Sequence, residues 1–326
     1  MEMIREELQK HQKVAYRILE NALLRHTLAH AYLFVGESGT PKLEAAYLLI
    51  QSLLCEREGF ACEKCESCQH VVNGGYGDLI YVDGKSKSIK KQDILSIQER
   101  FSKTKLERKG KKVYLLDGVE NATKEALNAL LKFLEEPDSD TLAILICDHS
   151  DRLLETIVSR TQIIPFYKQN SHDLWENLKE EMEPLEAYLL SNMSANDKQA
   201  MERYETDEFQ HAYYLFSHFL EEYEKHPVYA RVFLQKEGFG KSKRDDRLVA
   251  GTFFDMMILL CRDCYRRKEE EITHIWGKNG EIMLKLEVEK MHKICIECKD
   301  KIVRSINIPL LIDQFLYQWE VEDGKA

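Results

Sequence analysis

The alternation of apolar and polar positions changes character near the middle of the chain. Up to residue 166, short runs rich in β-branched and aromatic residues alternate with amphipathic stretches. The runs are Ala31 to Val35, Leu79 to Val82, Val113 to Leu116, Ala143 to Cys147 and Gln162 to Phe166. Between them, Leu43 to Leu54 has helical periodicity. Thr123 to Leu134 does too, with Ala126, Leu127, Leu130, Leu131 and Leu134 on one face and Pro137 as the stop. Apolar strands separated by helices predict a parallel sheet covered on both sides.

Beyond Phe166 the strand signals end. Asp173 to Tyr188 and Asp197 to Tyr204 read as short helices. Longer periodic stretches follow at Asp207 to Tyr223, Asp246 to Arg267, Ile282 to Arg304 and Leu310 to Val321, with Gly238 to Lys243 as a connecting loop. Asp151 to Val158 reads as one further helix in the first half. The expected fold class is therefore α/β followed by all-α. It divides into an α/β domain (1–166), a small helical domain (167–205) and a larger helical bundle (206–326).

Composition narrows the function. No apolar run reaches the ~18 residues of a membrane span, and Met1 to Lys10 lacks the apolar core of a secretory signal. A cytoplasmic location is the default expectation, and there the nine cysteines stay mostly reduced. A net charge of −10 argues against nonspecific coating of nucleic acid, which needs a cationic face. One basic stretch stands out, with Lys85, Lys87, Lys90, Lys91, Lys103, Lys105, Arg108, Lys109, Lys111 and Lys112. A local anion-binding patch and a solvated helix face with a lysine-rich turn both account for it.

The strand at Ala31 to Val35 runs into Gly36-Glu37-Ser38-Gly39-Thr40-Pro41-Lys42-Leu43 and then a helix. A working phosphate loop reads G-x-x-x-x-G-K-[ST]: its second glycine lets backbone N–H groups close on phosphate, and its hydroxyl binds Mg²⁺. Here Pro41 stands for that glycine and removes an N–H donor, and Leu43 stands for the hydroxyl residue. Gly36, Gly39 and Lys42 remain in strand-then-helix context; an ordinary glycine-bearing turn gives the same pattern on its own. The second half of such a site is a buried strand ending in an acid, and Val113 to Asp117 fits. The residue after Asp117 should be the glutamate that polarises water, but it is Gly118; the nearest carboxylate, Glu120, is displaced from in-line geometry.

Cys55, Cys62, Cys65 and Cys68 form C-x6-C-x2-C-x2-C. Four soft thiolates at this spacing suit tetrahedral Zn²⁺ in a closed, structural site stapling an insert at 55–70. A redox pair and a nucleic-acid-binding ribbon are the competing readings, and His70 is a spare ligand. Cys261, Cys264, Cys295 and Cys298 lie in helical patterns at i, i+3, as core residues do, although two such pairs also supply four thiols. Finally, Ser159-Arg160-Thr161-Gln162 closes a helix just before a strand. An arginine there caps carbonyls on a surface, or reaches a neighbouring subunit's γ-phosphate.

Five segments in order, His30-Ala31-Tyr32-Leu33-Phe34, the Gly36 loop, the four cysteines, Asn128 to Pro137 and Ile157-Val158-Ser159-Arg160, resemble the AAA+ clamp-loader family of bacterial DNA polymerase III, on its delta-prime branch. The resemblance covers about residues 10–166 closely. It returns loosely at Ile306-Asn307-Ile308-Pro309 and the helix after it. It implies an AAA+ parallel-sheet module with a zinc-binding insert, a helical lid and a C-terminal collar for oligomerisation. It further implies Arg160 as a trans-acting arginine finger with Ser159 positioning that corner, Thr161 departing from the family's Ser-Arg-Cys. Gly36, Gly39, Lys42 and Asp117 become vestiges of a nucleotide site that does not hydrolyse ATP. Cys147 and Asp148 fall at a sensor position, and Lys198 near a second. The implied partners are tau/gamma and delta subunits, the sliding clamp and, through the assembled complex, primer–template DNA, with no membrane. The alternative is a tau/gamma-like motor ATPase, which needs a hydroxyl at 43 and a carboxylate at 118.

Overall fold

The computed structural model describes residues 3–101, 111–135, 140–239, 245–302 and 307–322. The expected roles of Lys103, Lys105, Arg108 and Lys109, the Glu136-Pro137 helix stop, Lys241, Lys243, Arg304 and Ile306 lie outside these residues.

The chain separates into two compact units, Met1–Gln169 and Asn170–Ala326. In the first, β1 (Ala31–Val35), β2 (Leu79–Asp83), β3 (Lys112–Asp117), β4 (Thr141–Cys147) and β5 (Gln162–Pro165) form one parallel sheet in the order β2-β3-β4-β1-β5. Central β3 and β4 are buried along their whole length, while the edge strands leave Tyr81 and Ile163 exposed. That is why the central runs carry apolar residues at successive positions instead of alternating.

Period-two geometry sends neighbouring residues of each strand to opposite faces. Tyr32, Phe34, Val113, Leu115, Ile144 and Ile146 pack with α1 (Ile4–His11), α2 (Lys13–Leu24), α3 (Lys42–Ser52) and α4 (Glu66–Val72). On the other face Leu33, Tyr114, Leu116, Leu145 and Cys147 meet α5 (Lys91–Phe101), α6 (Lys124–Glu135) and α7 (Glu155–Val158). The helix expected over Asp151 to Val158 is broken: a 3₁₀ turn spans Ser150–Arg152, Leu153 and Leu154 are extended, and α7 follows. The break turns Leu153 into the core and leaves Leu154 outside.

The second unit is helical: α8 (Ser171–Leu178), α9 (Pro184–Met193), α10 (Asp197–Tyr204), α11 (Asp207–Lys225), α12 (Pro227–Phe233), α13 (Asp246–Arg266), α14 (Glu269–Met283), α15 (Val288–Ile302) and α16 (Ile308–Glu322). The helix expected over Asp173 to Tyr188 is two, because Pro184 cannot continue one and instead opens α9 at its first turn. One buried cluster runs from Leu174 and Leu189 through Phe219, Phe253 and Trp276 to Phe315 and Trp319. Buried Asp263 on α13 ties α9 and α14 to it. It accepts hydrogen bonds from Tyr188 Oη at 2.5 Å and Trp276 Nε1 at 3.1 Å. Among the described residues no helix is long and apolar enough to cross a membrane.

Candidate functional site: a closed phosphate loop, a cysteine cage and an outward arginine

Parallel pairing brings the carboxyl ends of β1, β4 and β3 side by side, with Val35 opposite Cys147 and Ile146 opposite Asp117. Ligands of such sheets bind beyond this edge. The loop after β1 passes so close to the segment after β5 that a Cβ on Gly36 would lie 2.4 Å from the Phe166 carbonyl oxygen. Gly39 takes φ +85°, a left-handed conformation natural to glycine.

Lys42 opens α3 and is 1% exposed. Its Nζ donates to the Gly36 carbonyl, to Glu37 O at 2.8 Å and to Thr40 Oγ1 at 3.0 Å, and it stands 3.1 Å from Asp148 Oδ1. An ammonium has three N–H donors, so the loop's own oxygens engage them all. Burial pushes the Lys42 pKa below the usual lysine value, and the Asp148 carboxylate offsets only part of that.

Asp117 is 3% exposed at the end of β3, and its Oδ1 lies 3.1 Å from Nζ of Lys85. An ammonium thus sits on the carboxylate that a working site offers to a metal ion. The approach of Lys85 follows from strand pairing, since Asp83 and Asp117 are opposite each other and Gly84 N donates to Asp117 O at 2.7 Å. Gly118 has φ +74° and ψ +45°, and a Cβ there would come within 3.1 Å of Gly84 C and Lys85 N. The missing catalytic glutamate is therefore more than a change of side chain, because the backbone itself takes a glycine turn. Glu120 is occupied elsewhere, accepting from the Asp148 N–H at 2.8 Å. Burial, helped by the Glu120 charge, pushes the Cys147 thiol up to about 12.

Among the described residues, the lysines of the basic stretch turn different ways. Lys85 turns to Asp117, and buried Lys112 donates from Nζ to Phe101 O at 2.6 Å, leaving Lys87, Lys90 and Lys91 exposed. Lys198, on α10 of the helical unit, is 73% exposed and 3.9 Å from Glu202.

The four cysteines of the insert converge, their Sγ atoms all within 4.8 Å of one another, without His70. Cys62 and Cys68 are 3.9 Å apart, Cys55 and Cys65 3.9 Å, Cys65 and Cys68 3.4 Å. A tetrahedron of Zn–S bonds has edges of about 3.8 Å, so the cage fits a four-coordinate thiolate metal with no open position. Backbone N–H groups of Lys64 and Cys65 pull the Cys62 thiol down to about 6. The same turn reaches the N-terminal helix: Glu63, at φ +62°, accepts from Ile4 N at 2.9 Å and Arg5 N at 3.0 Å. This carboxylate meets two of the orphan donors at the start of α1. By contrast Cys261, Cys295 and Cys298 are buried in the helical core, with Cys264 at its margin.

At the end of α7, Ser159 Oγ donates to Thr156 O at 3.2 Å. Arg160 Nη1 donates to the same carbonyl at 3.0 Å, and its Nη2 lies 2.9 Å from Glu135 Oε1. The Arg160 side chain is 36% exposed. Sequence reasoning missed Lys85, Glu63 and Glu135 as members of these sites. The approach of Lys85 follows from the pairing of β2 with β3, which the sequence does not state, and nothing local signalled the other two.

A β2-β3-β4-β1-β5 parallel sheet, a glycine loop and lysine after β1, an acid ending β3 and a helical unit later in the chain define the AAA+ class. A family described as DNA polymerase III, delta subunit matches residues 11–170. The Bacillus subtilis DNA polymerase III subunit delta' is 37% identical over 79% of this chain and 78% of its own length. The Bacillus subtilis tau subunit is 34% identical over 48% of this chain and 28% of its own. Among solved structures, a gamma subunit-related protein of Thermotoga maritima gives a TM-score of 0.47 at 16% identity, over 94% of this chain and 99% of that one. The chain belongs to the delta' family of DNA polymerase III clamp-loader subunits.

Proposed function

We propose that the chain serves the clamp loader without hydrolysing ATP, and that Arg160 completes the ATP site of an adjoining tau/gamma-type motor subunit. The observation that carries this is the self-neutralised loop: Lys42 is bound to its own loop and Asp148, and Lys85 to Asp117. Leu43 offers no metal ligand, and Gly118 no carboxylate to polarise water. A tau/gamma-like motor would need both groups.

What remains chemically available is a guanidinium at a rigid α/β corner. Placed against a neighbour's γ-phosphate, it stabilises the charge of the transferring phosphoryl group. Ser159 braces the helix end that carries it. The other members of the assembly are tau/gamma and delta subunits, and the work of the whole is to load the ring-shaped clamp on primer–template DNA. The four-cysteine cage holds a structural zinc ion, whose part is to fix the insert and not to react.

The test is Arg160→Ala in the reconstituted complex. Assembly and folding should persist while ATP turnover at the shared site and clamp loading fall. Normal loading by that variant would refute the finger role.

A further inference from the structure

Two side chains from separate elements meet at the arginine corner, and only one is explained so far. Glu135 is the last described residue of α6, and its side chain is 49% exposed. It touches Arg160, at 2.9 Å, while Thr156 O takes the other terminal nitrogen at 3.0 Å.

An arginine side chain free in water samples many rotamers, and a guanidinium helps a transition state only when its fork is already aimed. Arg160 is held at Nη1 by the Thr156 carbonyl and at Nη2 by Glu135, two contacts that favour one aim of a side chain still 36% exposed. We infer that Glu135 is a positioning residue for Arg160, fixing the guanidinium before the neighbour's triphosphate arrives. This inference rests on the finger reading proposed above.

The experiment uses the reconstituted clamp loader with the other motor sites inactivated, and compares Glu135→Ala, Glu135→Gln, Arg160→Ala and the Glu135→Ala/Arg160→Ala double variant. Glu135→Ala should lower kcat for ATP by about two- to fivefold, the scale of an exposed ion pair, and leave KM unchanged. Glu135→Gln keeps an oxygen acceptor and should recover much of the loss. With Arg160 absent, Glu135→Ala should make no further difference, since it acts only through the arginine. Co-elution of the subunits checks assembly; if the alanine variant fails to assemble, Glu135→Lys, which places a like charge beside Arg160, takes its place and should lower kcat at least as much. An unchanged kcat in Glu135→Ala, a change in KM alone, or an equal loss with Arg160 already removed overturns the positioning role. If Arg160→Ala reduces turnover and Glu135→Ala does not, Glu135 alone is refuted. If Arg160→Ala has no effect, the finger reading falls and the positioning role with it.

Discussion

The corner where β1, β3 and β4 end and the corner where α7 ends lie in the same α/β unit, yet they handle charge in opposite ways. At the first, Lys42 and Asp117 are almost wholly buried and each faces an opposite charge of the chain's own. At the second, Arg160 is bridged by an exposed carboxylate and keeps a third of its side chain in solvent. Buried ion pairs are hard to part, since removing one member strands the other in low dielectric, whereas an exposed pair exchanges partners at little cost. The difference teaches that one scaffold can close its inward charges on themselves while an arginine at another corner stays open to solvent, which is the contrast the proposed function uses.

The largest expected effect lies at the outward corner. Arg160→Ala should lower hydrolysis at the shared motor site by about 10³–10⁵, the range for an arginine finger. A loss below tenfold would make Arg160 an ordinary helix cap. Next comes the cysteine cage, which belongs to neither corner. Chelation, or Cys68→Ser, should destabilise the α/β unit by about 3 kcal/mol or more, because a structural metal site contributes folding energy directly. Hydrogen exchange should show residues 4–11 losing protection at the same time, since Glu63 in the cage turn caps α1. Unchanged protection there would detach the cage from the helix.

At the inward corner, Lys85→Ala removes the partner of buried Asp117. A fully buried pair broken this way costs ~3–5 kcal/mol; Lys85 is 45% exposed, so about 2 kcal/mol is expected in a denaturant titration. No loss would mean that Asp117 does not depend on that ammonium. The smallest effect is Gly118→Glu, which places a side chain at φ +74° against the Gly84–Lys85 backbone. About 1–2 kcal/mol of stability should be lost and no ATPase gained. Turnover in this variant would show that the glycine was the only missing part.

Much of the architecture was legible because buried parallel strands have a plain signature. Ala31–Val35 was read to the residue, and β3 and β4 each missed only a residue or two at the start. Helices α2 and α5 were passed over although their buried residues, Ala15, Leu19, Ala22 and Leu23 in one and Ile94, Ile97 and Phe101 in the other, recur at helical spacing. Breaks imposed by burial, such as Leu153 turning into the core, were harder to see. The site divides in the same way. Defects at Pro41, Leu43 and Gly118 are changes of residue type at fixed spacing, so spacing reveals them. Lys85 on Asp117, Glu63 on α1 and Glu135 on Arg160 are pairings across the fold. Lys85 was read instead as one charge in a basic run, because nothing in the run says which lysine turns inward.

The central claim is that the nucleotide corner is closed by its own charges. It is tested most directly by magnesium-dependent ATP turnover of the purified chain alone, across a range of nucleotide concentrations. The expected result is no hydrolysis above the uncatalysed background at any concentration. Saturable turnover that vanishes with Lys42→Ala would contradict it.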